Sequence, residues 1–397
     1  MHGSPSPPPR AGTSTARRII FVRRQFAPFG GAELILMRTM AALAVRGVSV
    51  SVLAHHWPAN ESGIEFIRCD PPRVSRARRE TAFAETACAR LKREGDALVQ
   101  AHERIPCCDI FRAGDGVHAA YLEQRRRFEG PLGRAALTLS AFHRAILRLE
   151  RALFASPRLK AVIANSTMVA DEIVRHFRFP RERIHLVPNG IELSRFRPGA
   201  RDQYRAALRE RLGTAPDRPV ALLVGSGYAR KGLATALKAL ALSRSRAELW
   251  VVGRDKRPQK FKQLAERLGI GASLKLFGPQ SDPLPYYAAA DVLILPSIYD
   301  PFPSTVLEAL ATGLPVVTST GCGAREVARR LDPGLVCDAL DFDGTAAALN
   351  RALALAADPA TVAKTRAIAA DYSLDSMVER MLAIYHQIAP HLEFRSP

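Results

Sequence analysis

Asp300 and Glu308 stand eight residues apart in DVLILPSIYDPFPSTVLEALATGLPVV, one before and one inside a predicted helix. Ser304 precedes TVLEALAT, and a serine ahead of good helix formers is an N-cap signal, so the helix is expected to begin at about Thr305. Its unpaired N–H groups and partial positive charge favour a phosphate. A carboxylate beside a phosphate is costly unless it binds hydroxyls, which ribose and sugars supply. A nucleotide sugar meets both demands; the bland alternative is a βαβ unit with two surface acids. Arg230 and Lys231, in GYARKG, put two cations on a strand-to-helix loop, where they can clamp a diphosphate. Read alone, such a pair is usually a solvated surface. Asp115 sits between two glycines in RAGDGVH, aimed by backbone geometry or else bonding its own turn. His118 is a second candidate there, although a lone histidine is more often structural.

These residues need strands behind them. DVLILPS reads as a strand buried on both faces, ended by Pro296 and Ser297, and LPVVTS as the next one after Gly313 and Pro315 stop the helix. Such a unit points a helix start out of the carboxyl edge of a parallel sheet. VALLVGS is a strand leading through Gly225 to a helix at about Gly232, and SLKLFG ends a strand at Gly278. In the first half, IIFV, a PFGG turn, a helix and VSVSVLAH form another βαβ unit, the helix carrying Leu34, Met37, Ala41 and Val45 on its apolar face. Gly30 and Gly31 occupy its turn, where missing side chains let backbone amides approach a ligand. The absence of GxGxxG counts against a dinucleotide site.

GRAALTLSAFHRAILRLERALF, residues 133–154, is expected as one amphipathic helix with Leu139, Phe142, Ile146, Leu149 and Leu153 on one face. Arg144, Arg148 and Arg151 line another face, and Arg125, Arg126 and Arg127 precede it. Basic and amphipathic together describe either a surface that lies on anionic lipid or a core helix with a solvated arginine face. Asn165 or Ser166 should cap the next helix. A last amphipathic helix repeats Leu374, Met377, Met381, Ile384 and Ile388 at helical spacing.

A chain of 397 residues is too long for one ordinary domain, and two α/β domains are expected. No apolar run approaches the roughly 18 to 20 residues of a membrane span. The first 16 residues, rich in Pro, Ser and Gly without an apolar core, read as a disordered tail and not a secretory signal. Six cysteines without metal-ligand spacing suit a reducing cytoplasm and inert thiols. The net charge of +19 is uneven: up to Gly190 there are 30 Lys/Arg against 17 Asp/Glu. A basic first half implies an anionic partner, whether nucleic acid, membrane or phosphorylated acceptor. No aromatic stacking repeat or helix-turn-helix pattern favours nucleic acid.

DPFPSTVLEALATGLPVV resembles the donor-site signature of the retaining glycosyltransferases of family four, which have the GT-B fold. FGGAE, VPNGI and the RKG element of VGSGYARKG are similar to three further elements of that family. VVGRDKRPQKF and the region around Asp115 look like its lipopolysaccharide-core glucosyltransferases. The resemblance implies two Rossmann-like domains across a cleft. They would be an acceptor-side domain at 17–189, joined by 373–397 crossing back, and a donor domain at 190–372. It implies that Glu308 holds ribose hydroxyls and that Asp300, where the family's usual pattern has Glu, approaches the donor sugar. Arg230, Lys231, Gly225 and the Ser304–Thr305–Val306 helix start would meet the diphosphate, Gly30 and Gly31 the diphosphate and sugar, and Gly278 the uracil. Asp115 would face the reaction centre, with a donor phosphate oxygen taking the acceptor proton.

The function implied is hexose transfer, with UDP-glucose as donor and an inner-core heptose of lipopolysaccharide as acceptor. No metal is expected, and the Asp341-Phe-Asp343 string is read as chance. The 125–154 segment would attach the enzyme to the cytoplasmic face of an anionic inner membrane. Other UDP- or GDP-sugars, or a GT-B sugar-nucleotide epimerase or hydrolase, are the alternatives. One geometric condition underlies all of this: the 230–231 loop and the 305 helix start must rise from neighbouring strands.

Overall fold

Short runs of aliphatic and β-branched residues, bracketed by glycine, proline or charged turns, form strands that are buried on two faces away from the sheet edges. The computed structural model describes residues 18–25, 31–57, 64–75 and 77–390, without the side chains of 31–34. The expected tail at 1–16 and Gly30 therefore lie outside the described residues.

The first half runs β1 (Arg18–Val22), α1 (Gly31–Val45), β2 (Ser49–Ala54), β3 (Ile64–Arg68), α2 (Arg79–Leu91), β4 (Leu98–Ala101) and β5 (Ile110–Arg112). It continues through α3 (His118–Arg126), α4 (Pro131–Leu139), α5 (Ala141–Phe154), β6 (Ala161–Ala164), α6 (Thr167–Phe177) and β7 (Ile184–Leu186). The second half runs α7 (Ala200–Arg211), β8 (Val220–Val224), α8 (Leu233–Leu242), β9 (Glu248–Val252), α9 (Gln259–Arg267), β10 (Leu274–Gly278) and α10 (Leu284–Ala289). Then come β11 (Val292–Leu295), α11 (Ser304–Thr312), β12 (Val316–Ser319), α12 (Arg325–Arg329), β13 (Val336–Cys337), α13 (Phe342–Ala356), α14 (Pro359–Ala370) and α15 (Leu374–Ile388).

Both sheets are parallel, with orders β3-β2-β1-β4-β5-β6-β7 and β10-β9-β8-β11-β12-β13. Each reverses its winding once, between β1 and β4 and between β8 and β11. Doubly wound sheets open a ligand crevice at the carboxyl edge of that reversal. The molecule is thus two Rossmann-like α/β domains, and α15 crosses back to the first. Met377, Met381 and Tyr385 of α15 pack into one core with Ile19, Phe21 and Met40. Tyr385 Oη donates to Gln100 Oε1 of β4 at 2.7 Å.

Four expectations are corrected. α1 buries Ile35, Leu36, Met40 and Leu43, while Val45 is 82% exposed and Ala41 faces solvent. Met37 is buried as expected, but the stripe continues through Met40 and Leu43 in place of Ala41 and Val45, because that richly apolar helix offers two stripes. The single helix at 133–154 is instead α4 and α5. Ser140 leaves the helical region (φ −62°, ψ 115°) and its side chain accepts the His143 N–H. A serine that can cap competes with continuing the helix, and Leu139 ends 70% exposed. Cys88 and Cys107, expected as inert thiols, form a disulfide between α2 and the loop before β5. Ser304 is the fourth correction and belongs to the site.

Met381 is 1% exposed, and its sulfur lies 3.3 Å from an Arg112 guanidinium nitrogen. Met381→Ala is expected to cost about 2–5 kcal/mol in urea unfolding, the range for emptying a buried site of this size. A loss well under 1 kcal/mol would show that α15 does not complete the first-domain core.

Candidate active site

At the β8–β11 reversal two loops are held together. The Ile298 N–H donates to the Arg230 carbonyl at 2.9 Å, and Gly232 (φ +78°) has its α-carbon against the Pro296 carbonyl, where a Cβ would come within 1.9 Å. Gly225 (φ +147°) ends the β8 edge, and a Cβ there would meet Lys231 Cε at 2.6 Å. The glycine thereby leaves the channel along which the lysine stem runs. Lys231 Nζ lies 2.6 Å and Arg230 Nη1 3.0 Å from the same oxygen, Oδ2 of buried Asp300. Burial pushes the Asp300 pKa up, but Lys231 and Arg230 outweigh it and hold the carboxyl below its ordinary range. Two cations on one carboxylate leave one positive charge at the crevice.

α11 starts four residues after Asp300. Ser304, expected as its cap, is its first helical residue: the Val306 N–H already bonds the Pro303 carbonyl, so the helix begins one position early. No capping side chain bonds that first turn among the described residues. Its Thr305 Oγ1 is buried and has no hydrogen-bond partner among the described residues. Val306 is fully buried in the domain core. Glu308 accepts a 2.6 Å hydrogen bond from Tyr287 Oη, and burial raises its pKa. With Ser304 and Arg195 it lines a cleft whose opposite wall is Ile35 and Arg38 of α1. Gly278 (φ +71°) closes β10, two strands from β8, with open space where a side chain would stand.

The facing crevice, at the β1–β4 reversal, holds Asp115. Its carboxylate is 56% exposed and lies 3.8 Å from Arg23 Nη1. A cavity of about 210 Å³ is lined there by Arg23, Arg24, Glu80, Glu103, Arg104 and Asp115. Arg104 positions the Asp115 turn: Nη2 donates to the Gly116 carbonyl and Nε to Glu150 Oε1, both at 3.0 Å. Glu150, only 1% exposed, also accepts the His118 and Ala119 N–H groups at the start of α3. His118 Nε2 lies 3.0 Å from His143 Nδ1, and burial, Arg104 and His143 push its pKa down to about 3, so its ring is neutral.

Arg23, Glu103, Arg104 and Glu150 were not singled out from sequence. The first three follow strands of only four or five residues, and Glu150 is a lone acid inside a helix dominated by arginines. Their signal is positional, and it emerges once β1 and β4 are known to flank a reversal. Asp341 caps α13 by accepting the Gly344 N–H at 2.8 Å, which gives the Asp341-Phe-Asp343 string a structural cause. Across the cleft, Asn189 Nδ2 donates to the Phe302 carbonyl at 2.9 Å, and Arg127 reaches both oxygens of Asp338 at 2.9 Å. The combination can neutralise a leaving anion on one wall and orient a hydroxyl compound on the other.

Residues 29–195 match the family described as Glycosyltransferase Family 4, and residues 205–369 the family described as Glycosyl transferases group 1. The lipopolysaccharide glucosyltransferase WaaG of Escherichia coli (strain K12) is 29% identical over 315 residues, 77% of this chain and 81% of that protein. The crystal structure of WaaG, a glycosyltransferase involved in lipopolysaccharide biosynthesis, aligns with a TM-score of 0.78 at 27% identity, covering 92% of this chain and 99% of that one. The D-inositol 3-phosphate glycosyltransferase of Geodermatophilus obscurus is 32% identical over 245 residues, 58% of this chain and 53% of that protein. HepE of Anabaena, in complex with UDP-glucose, shares the fold at a TM-score of 0.71 and 19% identity, covering 93% of this chain and 99% of that one.

Gly225→Ala should displace Lys231 from Asp300, at a cost of about 1–3 kcal/mol for the strained backbone. A crystal structure of the variant with the Lys231–Asp300 bond intact would contradict this account of the glycine.

Proposed function

Since the chain belongs to the GT-B glycosyltransferases, family 4 in its first half and group 1 in its second, and is a retaining hexosyltransferase, we propose that it moves glucose from UDP-glucose to a heptose of the lipopolysaccharide inner core, or to a similar glycolipid. The observation that carries this reading is the convergence of Lys231 and Arg230 on Asp300 beside the uncapped start of α11, facing the Asp115 crevice. Glucose and UDP are supported by WaaG, a lipopolysaccharide glucosyltransferase, and by the UDP-glucose bound to HepE.

As the glycosidic bond to the donor breaks, negative charge grows on the diphosphate. Arg230, Lys231, the N–H groups of Ser304 and Thr305, and the amides of Gly30 and Gly31 stabilise it there, without a metal. Glu308 holds the ribose hydroxyls, Gly278 opens room for the base, and Asp300 lies nearest the sugar. Asp115 orients the acceptor, whose proton passes to a donor phosphate oxygen. Residues 17–189 with 373–397 form the acceptor side and 190–372 the donor side.

Leu132 and Leu139 of α4 are 88% and 70% exposed, and Arg126 and Arg134 are exposed as well. An apolar and basic surface of this kind supports attachment to the anionic cytoplasmic face of the inner membrane. No helix among the described residues is long and apolar enough to cross a membrane. A second acceptor class, a phosphorylated polyol, is favoured by the likeness to the inositol phosphate glycosyltransferases.

Screening UDP- and GDP-sugars for nucleotide release, with and without lipopolysaccharide core acceptor, tests the assignment. UDP-glucose turnover that needs the acceptor and survives a chelator is expected; acceptor-independent release would make this a hydrolase. Lys231→Ala and Glu308→Ala should each weaken UDP binding about tenfold or more by calorimetry, the worth of one charge-assisted hydrogen bond. Asp115→Asn should leave UDP binding intact and lower kcat, and full turnover would remove its role. Leu132→Asp/Leu139→Asp should abolish cosedimentation with anionic vesicles while sparing UDP binding.

A further inference from the structure

Tyr299 belongs by sequence to the donor loop, yet it is 2% exposed within the hydrophobic core of the opposite domain, beside Phe111, Val117 and Ala120. Its ring stands edge-on to Tyr121 of α3 at 6.0 Å between centroids. Its hydroxyl accepts the Val117 N–H at 2.9 Å and donates to Glu172 Oε2 of α6 at 2.7 Å. Burial and the neighbouring Glu172 carboxylate push its pKa well above the ordinary tyrosine value, so it stays a donor. Val117 lies two residues after Asp115. The intervening Gly116 (φ +70°) is so close that a Cβ would come within 2.3 Å of the tyrosine oxygen. The next residue along from Tyr299 is Asp300, which receives both donor-site cations. One dipeptide therefore holds the diphosphate cations with one side chain and the Asp115 turn with the other.

We propose that Tyr299 is a positioning residue that couples the donor loop to the placement of Asp115 across the interdomain cleft. A shift of the 296–303 loop, as when a diphosphate displaces Asp300 from Lys231 and Arg230, is passed through the Tyr299 hydroxyl to the Asp115 turn. This rests on Asp115 acting at the reaction centre. Asp115 itself touches no residue of the donor domain by hydrogen bond or ion pair among those described, whereas its turn touches Tyr299.

The test is a double-mutant cycle on the full-length enzyme, with UDP affinity and kcat measured separately. Tyr299→Phe keeps the ring and deletes the hydroxyl. Expected is a fall in kcat of about tenfold, the worth of one ordinary hydrogen bond, with UDP affinity unchanged. In an Asp115→Asn background, Tyr299→Phe should lower kcat by less than about twofold more, because the bond acts only through that turn. Glu172→Gln, which still accepts from the tyrosine, should keep near-native kcat. Should Tyr299→Phe not fold, Val117→Pro, which deletes the N–H that the tyrosine hydroxyl accepts, carries the same cycle. Additive losses, or full kcat in Tyr299→Phe while Asp115→Asn is impaired, would overturn the coupling alone. Full activity in Asp115→Asn would overturn the Asp115 assignment and the coupling with it.

Discussion

A buried carboxylate facing two cations organises the second domain. Taking one charge out of water costs several kcal/mol, and removing either partner of a buried pair strands the other. Asp300 is tolerable at the bottom of its crevice only because Lys231 and Arg230 reach it together. They do so because Gly225 clears the lysine stem and Gly232 lets two loops touch. The surplus positive charge then sits at a sheet edge beside a helix start with no capping side chain, the electrostatic signature of a place meant for an anion.

The first domain answers with a different construction. Its crevice is close to charge-balanced, with Arg23, Arg24 and Arg104 set among Glu80, Glu103 and Asp115. Interleaved donors and acceptors suit a compound with many hydroxyls better than they suit a bare phosphate. Glu150 shows how the surface and the site are joined: it lies on the helix that follows the exposed α4, and it fixes both Arg104 and the first turn of α3.

The fold class was legible because buried parallel strands announce themselves as continuous apolar runs ended by Gly or Pro, as in DVLILPS and VALLVGS. The cations, the two acids and the Asp115 turn stood out as candidates by residue type and spacing, and the resemblance to the family supplied their expected roles. Less was legible where several local choices were nearly equal in energy. Helix α1 has two apolar stripes, Ser140 could continue a helix or cap one, and Pro303 took the capping place expected of Ser304. Pairing across domains was out of reach altogether. Nothing in SIYDPF shows that Tyr299 leaves its own domain while Asp300 stays, because the partner hydrogen bonds come from residues more than a hundred positions away.

The crossing helix has a bearing on how the chain is made. Strands β1 to β7 are complete by residue 186, but the hydrophobic surface around Ile19, Phe21 and Met40 is covered by residues 377–385. Nearly the whole second domain must leave the ribosome in between. At synthesis rates of about 5–20 residues per second this is a wait of roughly 10–40 seconds. Throughout it the nascent first domain carries an open greasy flank, and the newly made polypeptide depends on whatever shields that flank until its last turns arrive.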